Sequence, residues 1–276
     1  MKSTHIGKTQ FHWGTRTFIM GILNITPDSF SGDGLGHNIE AALAQARQMV
    51  AEGADIIDVG GESTRPDAPE VSVAEELQRV IPVIERLRSE LDTPISIDTY
   101  KAEVAEAAVK NGADLINDVW GLKRDCRMAE VAARLGLPIV LTSSQRDAPV
   151  SNIMPTLVES LSHAIEQAES AGIPPEKILI DPGFGFGKTV SQNLELLRRM
   201  HELKELGKPI LLGTSRKSTI GKVLGDAPVE NRLMGTAAAN TIGILNGADI
   251  LRVHDVKATV QLAQMSDAIV RGWPND

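Results

Sequence analysis

The sequence predicts an α/β protein: a single-domain (β/α)8 TIM barrel spanning residues 1–276, with a short β ribbon at its N-terminus. Two patterns point there. Eight short runs rich in Ile, Val and Leu are apolar on both faces, as buried parallel strands are. Each run is followed by a stretch with apolar residues spaced three and four apart, the signature of an amphipathic helix. Eight repeats of strand then helix favour closure into a barrel over an open doubly wound sheet. The 276-residue length suits one such unit.

In chain order, the segment 11–16, Phe-His-Trp-Gly-Thr-Arg, reads as the ribbon, turning at Gly14 and closing the N-terminal end of the barrel. Strands are expected at 17–23, 54–61, 94–99, 114–119, 138–143, 177–183, 209–215 and 250–255. The helices between and after them are expected at 39–52, 73–90, 101–110, 128–135, 156–171, 191–206, 231–246 and 257–270. Gly53, Gly112, Gly136, Gly172, Gly207 and Gly247 fall just past periodic stretches, where a left-handed helix terminus favours glycine. No linker, low-complexity tract or second domain interrupts this alternation.

Composition removes several function classes. Lys and Arg total 28 against 36 Asp and Glu, a net charge of −8, which disfavours nucleic-acid or anionic-membrane partners. With 42% apolar and 23% charged residues the chain is globular rather than disordered. No run reaches the roughly 20 apolar residues of a membrane span, and the N-terminus lacks the apolar core of a secretion signal, so a cytoplasmic protein is expected. The single cysteine, Cys126, has no partner for a disulfide or a cysteine zinc site.

The chemistry is expected where the strands end. Strand one runs into Asn24, Thr26, Asp28 and Ser29; strand two carries Asp58 and then Glu62, Ser63, Thr64, Arg65 and Pro66. Strand three ends at Asp98, strand four at Asn117 and Asp118, and strand six at Asp181. Strand seven gives Ser215, Arg216, Lys217 and Ser218, and strand eight gives Arg252, His254 and Asp255. Each residue alone suits a turn or a helix cap. Seven of eight strand ends is too many for capping, because the carboxyl ends of barrel strands surround one mouth. An enzyme site is therefore expected there.

The residue types suggest the ligand. Arg65, Arg216, Lys217, Arg252 and His254 form a cationic set suited to a phosphate-bearing substrate. Asp98, Asp181 and Asn117 offer acceptors and donors to a flat nitrogen heterocycle. Asn24 supplies a hard oxygen for a Mg2+ shared with phosphates, though no carboxylate cluster accompanies it in the sequence. The stretch from Asp181 to Thr189 ends in Gly-Lys-Thr, but Pro182 stands where a phosphate-binding loop needs its first glycine, so ATPase chemistry is rejected. Phe184 and Phe186 are either core or an aromatic surface beside the mouth.

Taken together, Met20-Gly-Ile-Leu-Asn24-Ile-Thr-Pro-Asp28-Ser-Phe-Ser, Gly60-Gly-Glu-Ser-Thr-Arg65-Pro66, Ser96-Ile-Asp98-Thr, Ile116-Asn117-Asp118, Asp181-Pro-Gly-Phe-Gly-Phe-Gly-Lys, Gly213-Thr-Ser-Arg216-Lys217-Ser and Arg252-Val-His254-Asp resemble the dihydropteroate synthases. The likeness runs from Thr17 to the last helix. It implies a barrel enzyme, usually a homodimer, that joins p-aminobenzoate to 6-hydroxymethyl-7,8-dihydropterin pyrophosphate. It places the pterin ring on Asp98, Asn117, Asp181 and Lys217, and pyrophosphate with Mg2+ at Asn24, Arg65, Arg252 and His254. It places p-aminobenzoate among Thr64, Pro66, Phe186, Lys217 and Ser218, with Asp28 ordering over the site when pyrophosphate is present. Asp98, Asp181, Lys217 and Arg252 are the implied catalytic set. The implied chemistry is dissociative: pyrophosphate leaves first, and the amine then attacks a pterin methylene cation.

Two places depart from the family pattern. The usual Met-His pair after strand five is replaced in Leu141-Thr142-Ser143-Ser144-Gln145-Arg146, and the first loop reads Ser31-Gly-Asp33-Gly. Gln145-Arg146-Asp147 resembles acquired, sulfonamide-insensitive synthases, which implies weak inhibition by those drugs. Two alternatives stand beside the synthase: a pterin-dependent methyltransferase barrel and a non-catalytic pterin-binding barrel. Neither needs a pyrophosphate cradle. The apolar stretches 231–246 and 257–270 are the expected dimer face.

Overall fold

A computed structural model describes residues 3–25, 35–63, 69–147 and 150–273. Two short strands come first, β1 (Ser3–Ile6) and β2 (Thr9–His12), paired antiparallel. Their turn falls at Gly7 and Lys8, not at Gly14 as the sequence reading expected. Gly7 adopts φ +57, and a Cβ there would meet the Asp114 carboxylate at 2.8 Å, so this tight two-residue turn admits only glycine. Gly14 lies in the turn that follows β2.

The barrel strands are β3 (Phe18–Asn24), β4 (Ile56–Gly60), β5 (Ile95–Asp98), β6 (Leu115–Asp118), β7 (Ile139–Thr142), β8 (Ile178–Asp181), β9 (Leu211–Leu212) and β10 (Ile250–Val253). All pair in parallel, in the order β8-β7-β6-β5-β4-β3-β10-β9. A parallel bridge between Ile180 and Ile210 joins the two ends, which closes the ring. β9 is shorter than expected because the chain leaves the ladder after Leu212 to commit its side chains elsewhere. Thr214 donates to Asn240 Oδ1, and the Ser215 hydroxyl lies 2.9 Å from His254 Nδ1.

Helices α1 (Leu35–Ala51), α2 (Val73–Glu90), α3 (Ala102–Lys110), α4 (Met128–Leu135), α5 (Ile153–Ser170), α6 (Val190–Arg199), α7 (Ser218–Val223), α8 (Leu233–Leu245) and α9 (Val256–Arg271) wrap the barrel. The expected helix at 191–206 is α-helical only to Arg199 and continues as a 3-10 helix over Met200–Leu206. The six-residue α7 is too short to show periodicity, and sequence reading missed it. All six expected helix-end glycines have positive φ, from +64° to +116°.

Strand alternation sorts the side chains into two apolar layers. Ile57, Val59, Ile95, Ile97, Ile116, Leu141, Ile180, Leu251 and Val253 pack outward into the core beneath the helices. Phe18, Met20, Ile56, Leu115, Val140, Leu179, Leu211 and Ile250 fill the lumen, where Ile6 and Phe11 of the ribbon join them. The ribbon therefore closes the N-terminal end. Among the described residues no helix is long and apolar enough to cross a membrane.

Candidate active site

Two residues further along each strand, the same inward face changes character. From Ile56, Ser96, Leu115, Val140, Leu179 and Ile250 the next inward positions are Asp58, Asp98, Asn117, Thr142, Asp181 and Arg252. Register keeps them together: Asp98 pairs with Asn117, and Thr142 with Asp181. A polar ring thus sits directly on an apolar floor at the carboxyl ends of the strands, where α/β barrels place their chemistry.

The ring is internally charged. Arg252 donates from Nε to Asp58 Oδ2 at 2.6 Å and from Nη2 to Asp98 Oδ2 at 2.5 Å. Asn117 Nδ2 donates to Asp58 Oδ2 at 3.2 Å. Burial raises the Asp98 pKa to about 7; Arg252 opposes this rise and Asp58 adds to it. Burial alone would weaken the Arg252 charge, but Asp58 and Asp98 outweigh it and hold the guanidinium more firmly protonated. Among the described residues, Asp58 Oδ1, Ser96 Oγ, Asn117 Oδ1, Thr142 Oγ1 and Ser144 Oγ are buried without a partner. Unpaired polar atoms in a buried site are costly, so this cluster marks a place built for a polar ligand.

Beside this ring the segment after β8 folds against the start of α7. Asp181 Oδ1 accepts from Gly183 N at 2.7 Å, and burial raises its pKa. The buried Lys188 ammonium donates to the carbonyls of Ser143, Gly183 and Phe186, which fixes the loop's course. Asn193 accepts from Gly185 N and donates to the Lys188 and Thr189 carbonyls and to Thr219 Oγ1, so one amide ties the loop to α7. The result sets the Lys217 ammonium 3.6 Å from the centre of the Phe186 ring. Burial lowers the Lys217 pKa to about 7 against the pull of Asp181.

Arg216, grouped from sequence with the substrate-facing cations, has another use. It adopts φ +56, which few non-glycine residues do, and Asp255 grips its guanidinium at 2.9 and 2.6 Å. Its amide donates to Thr236 Oγ1 and its carbonyl accepts from Arg232. The strained turn so held is the one that presents Lys217.

Of the expected site residues, Asp98, Asn117, Asp181, Lys217 and Arg252 lie at or beside the polar ring, and Phe186 stands against Lys217. Phe184 is buried in the core, while Phe186 joins Val119, Trp120 and Tyr100 near the mouth. His254 contacts Ser215, and Ser218 is the exposed first residue of α7. Asp28, Asp33, Thr64, Arg65 and Pro66 lie outside the described residues. Asp118 is not part of the ring: it points outward and accepts from the amides of Trp120 and Leu122. Sequence reading listed Asp58 as polar but gave it no role, although counting alternate residues from Ile56 would have turned it inward beside Asp98. Asn193 carried no signal, and Lys188 and Arg146 stood in quoted motifs without a role; their contacts exist only in the fold.

The Asn24 amide oxygen lies 3.8 Å and Asp98 Oδ2 3.6 Å from the point where Gly60 would carry a Cβ, so two hard oxygens converge on this glycine, of which Asp98 Oδ2 accepts from Arg252. Among the described residues no group of three or more His, Cys, Asp or Glu could hold a metal. The donor set fits a Mg2+ whose remaining ligands are waters and phosphate oxygens, the usual habit of that ion.

Residues 20–254 match the family model of pterin binding enzymes. The chain is 51% identical to a dihydropteroate synthase of Clostridium beijerinckii over 96% of its own length and 99% of the relative's. It is 47% identical to the Bacillus subtilis dihydropteroate synthase, covering 96% and 93%. A Clostridium difficile dihydropteroate synthase structure obtained with pteroic acid superposes with a TM-score of 0.92 at 53% identity, covering 95% and 99%. The Xanthomonas albilineans dihydropteroate synthase with 4-aminobenzoic acid gives 0.93 at 43% identity, covering 99% of each chain. By fold, by the contents of its barrel mouth and by these likenesses, the chain belongs to the pterin binding enzymes and, among them, to the dihydropteroate synthases.

Proposed function

We propose that the barrel mouth holds the two substrates of dihydropteroate synthesis in fixed places: the pterin ring on Asp98, Asn117, Asp181 and Lys217, and p-aminobenzoate against Phe186, Lys217 and Ser218, with Thr64 and Pro66 completing its seat. The reaction is transfer: p-aminobenzoate displaces pyrophosphate from 6-hydroxymethyl-7,8-dihydropterin pyrophosphate to give 7,8-dihydropteroate. The Xanthomonas albilineans synthase has been solved with 7,8-dihydropteroate. The observation that carries the placement is the set of unpartnered oxygens on Asp58, Asn117 and Thr142 beside two buried carboxylates, a surface that asks for a flat, polar, nitrogen-rich partner.

In this reading Asp98 and Asp181 face the ring, and their carboxylate forms stabilise the positive charge that grows on it as the leaving group departs. Lys217 donates to the ring from the side where the amine arrives. Arg252 holds Asp98 and Asp58 in place and adds positive charge towards the leaving group, with His254 and Arg65 supplying the rest of the pyrophosphate cradle and Asp28 ordering over the site when pyrophosphate is present. Asn24 would hold Mg2+, which when bound offsets charge on the pyrophosphate. No side chain becomes covalently attached.

A second copy of the chain covers the apolar strip on α8 and α9, where Met234 and Ile269 are 77% and 71% exposed. Gln145-Arg146-Asp147 supports weak inhibition by sulfonamides; an inhibition constant matching that of a susceptible synthase would rule it out. The placement itself is tested by following pyrophosphate: release should require both substrates and should fall at least a hundredfold in Asp98→Asn and in Asp181→Asn. Release that ignores p-aminobenzoate would overturn it.

A further inference from the structure

Arg146, in the segment after β7, has no part in the substrate placement given above, yet it stands with the aromatic residues near the mouth. Its guanidinium carbon lies 4.0 Å from the centre of the Phe186 ring and 4.7 Å from that of Trp120. Two aromatic rings hold this planar group, which suits Arg and not Lys. Phe186 also carries the Lys217 ammonium at 3.6 Å, so two cations share one ring. Among the described residues the Arg146 Nη2 atom is buried and donates to nothing. Burial weakens the guanidinium's charge; of the charged groups that act on it, Asp98 of the ring-binding floor is the foremost and favours it. A guanidinium nitrogen buried without an acceptor is costly, and packing alone would be served as well by Met or Leu.

We propose that Arg146 is a binding residue for the heterocyclic substrate, its inner Nη2 donating to an acceptor atom of the flat ring, a carbonyl oxygen or a ring nitrogen. This rests on the placement of the pterin given above. The ring, rather than the amine substrate or the pyrophosphate, is the partner because the unpaired nitrogen is buried and the foremost charged group acting on the guanidinium is Asp98, which the ring is proposed to rest on. Phe186 and Trp120 are then the support that holds the donor plane in position.

The test is calorimetric titration of the full-length chain with 6-hydroxymethylpterin, a neutral ring without pyrophosphate, together with steady-state kinetics. Arg146→Gln is expected to bind this ring at least about tenfold more weakly, with a matching rise in KM for the pterin pyrophosphate and a KM for p-aminobenzoate within twofold of wild type. Arg146→Lys, which keeps the charge and loses the planar fork, is expected to stay closer to Arg146→Gln than to wild type, and it serves as the readout if Arg146→Gln fails to fold in a thermal melt. Unchanged affinity for the ring in a folded variant would overturn the proposal and leave packing as the role. A loss seen only with the pyrophosphate-bearing substrate, or only in the KM for p-aminobenzoate, would overturn it too. Failure of the wild-type chain to bind the ring would overturn the pterin placement itself.

Discussion

Arg252 and Asp98, 154 residues apart in sequence, close an ion pair of 2.5 Å across the inside of the barrel, and Asp58 completes it from the neighbouring strand. The pair does two jobs. It opposes the rise that burial causes in the Asp98 pKa, and it sets the face that Asp98 turns to the ligand.

Removing the arginine should therefore cost stability as well as activity. Arg252→Gln leaves the Asp58 and Asp98 carboxylates buried side by side, and breaking a buried pair in this way costs about 3–5 kcal/mol. Denaturant titration of the substrate-free chain should show a lower midpoint with an unchanged slope. A loss below about 1 kcal/mol would mean that water reaches the carboxylates and that the pair is not structurally important.

Gly185 links the loop after β8 to the ammonium it faces. Its φ is +84, and a Cβ there would stand 2.8 Å from Lys217 Cδ. Gly185→Ala has to strain the loop or push the lysine off Phe186. The expected result is a loss of about 1 kcal/mol in stability together with a fall in kcat/KM of at least tenfold. A stability loss with unchanged kinetics would show that the position of Lys217 does not matter.

Much of this was legible in the sequence. The run Ile95–Asp98 is buried on both faces, so it could be read as a strand, and its last residue is a carboxylate that a core would reject. The same logic found Asn117, Asp181 and Arg252. It stopped where contacts are made by residues that local pattern does not constrain. Asn193 looks like an ordinary polar helix residue, yet it bonds to four other groups and ties a loop to α7. Arg216 was misjudged for a related reason: charge reveals what a side chain can bind, but the partner, here Asp255, is chosen by the fold. The ribbon was displaced because a glycine with positive φ occurs at both Gly7 and Gly14, and only the packing of Ile6 and Phe11 decides which makes the hairpin.

The strip on α8 and α9 gives a third test. Met234, Leu245, Met265 and Ile269 are exposed large apolar side chains on two adjacent helices. Such a patch marks an interface more often than a bare surface. In sedimentation at micromolar concentration the wild-type chain should run as a dimer and the double variant Met234→Glu/Ile269→Glu as a monomer. A wild-type monomer would refute the dimer.

The burial of Lys217 makes a prediction about pH. Its pKa falls to about 7 in the folded chain from an ordinary value of 10.5. Between those values the unfolded chain binds a proton that the folded chain does not, so stability rises with pH across this window. Below pH 7 both states carry the charge and the full penalty of burying it applies. In Lys217→Met the penalty is absent at every pH. The substrate-free variant should therefore be more stable than wild type near pH 7, by an amount that shrinks steadily to a small remainder at pH 10 and disappears above the unfolded pKa of 10.5, while activity is lost throughout. Paired denaturant titrations at pH 7, 8.5 and 10 check this. A gap that stays constant with pH would mean that the Lys217 ammonium keeps its charge in the empty site, paired with Asp181 strongly enough to offset its burial.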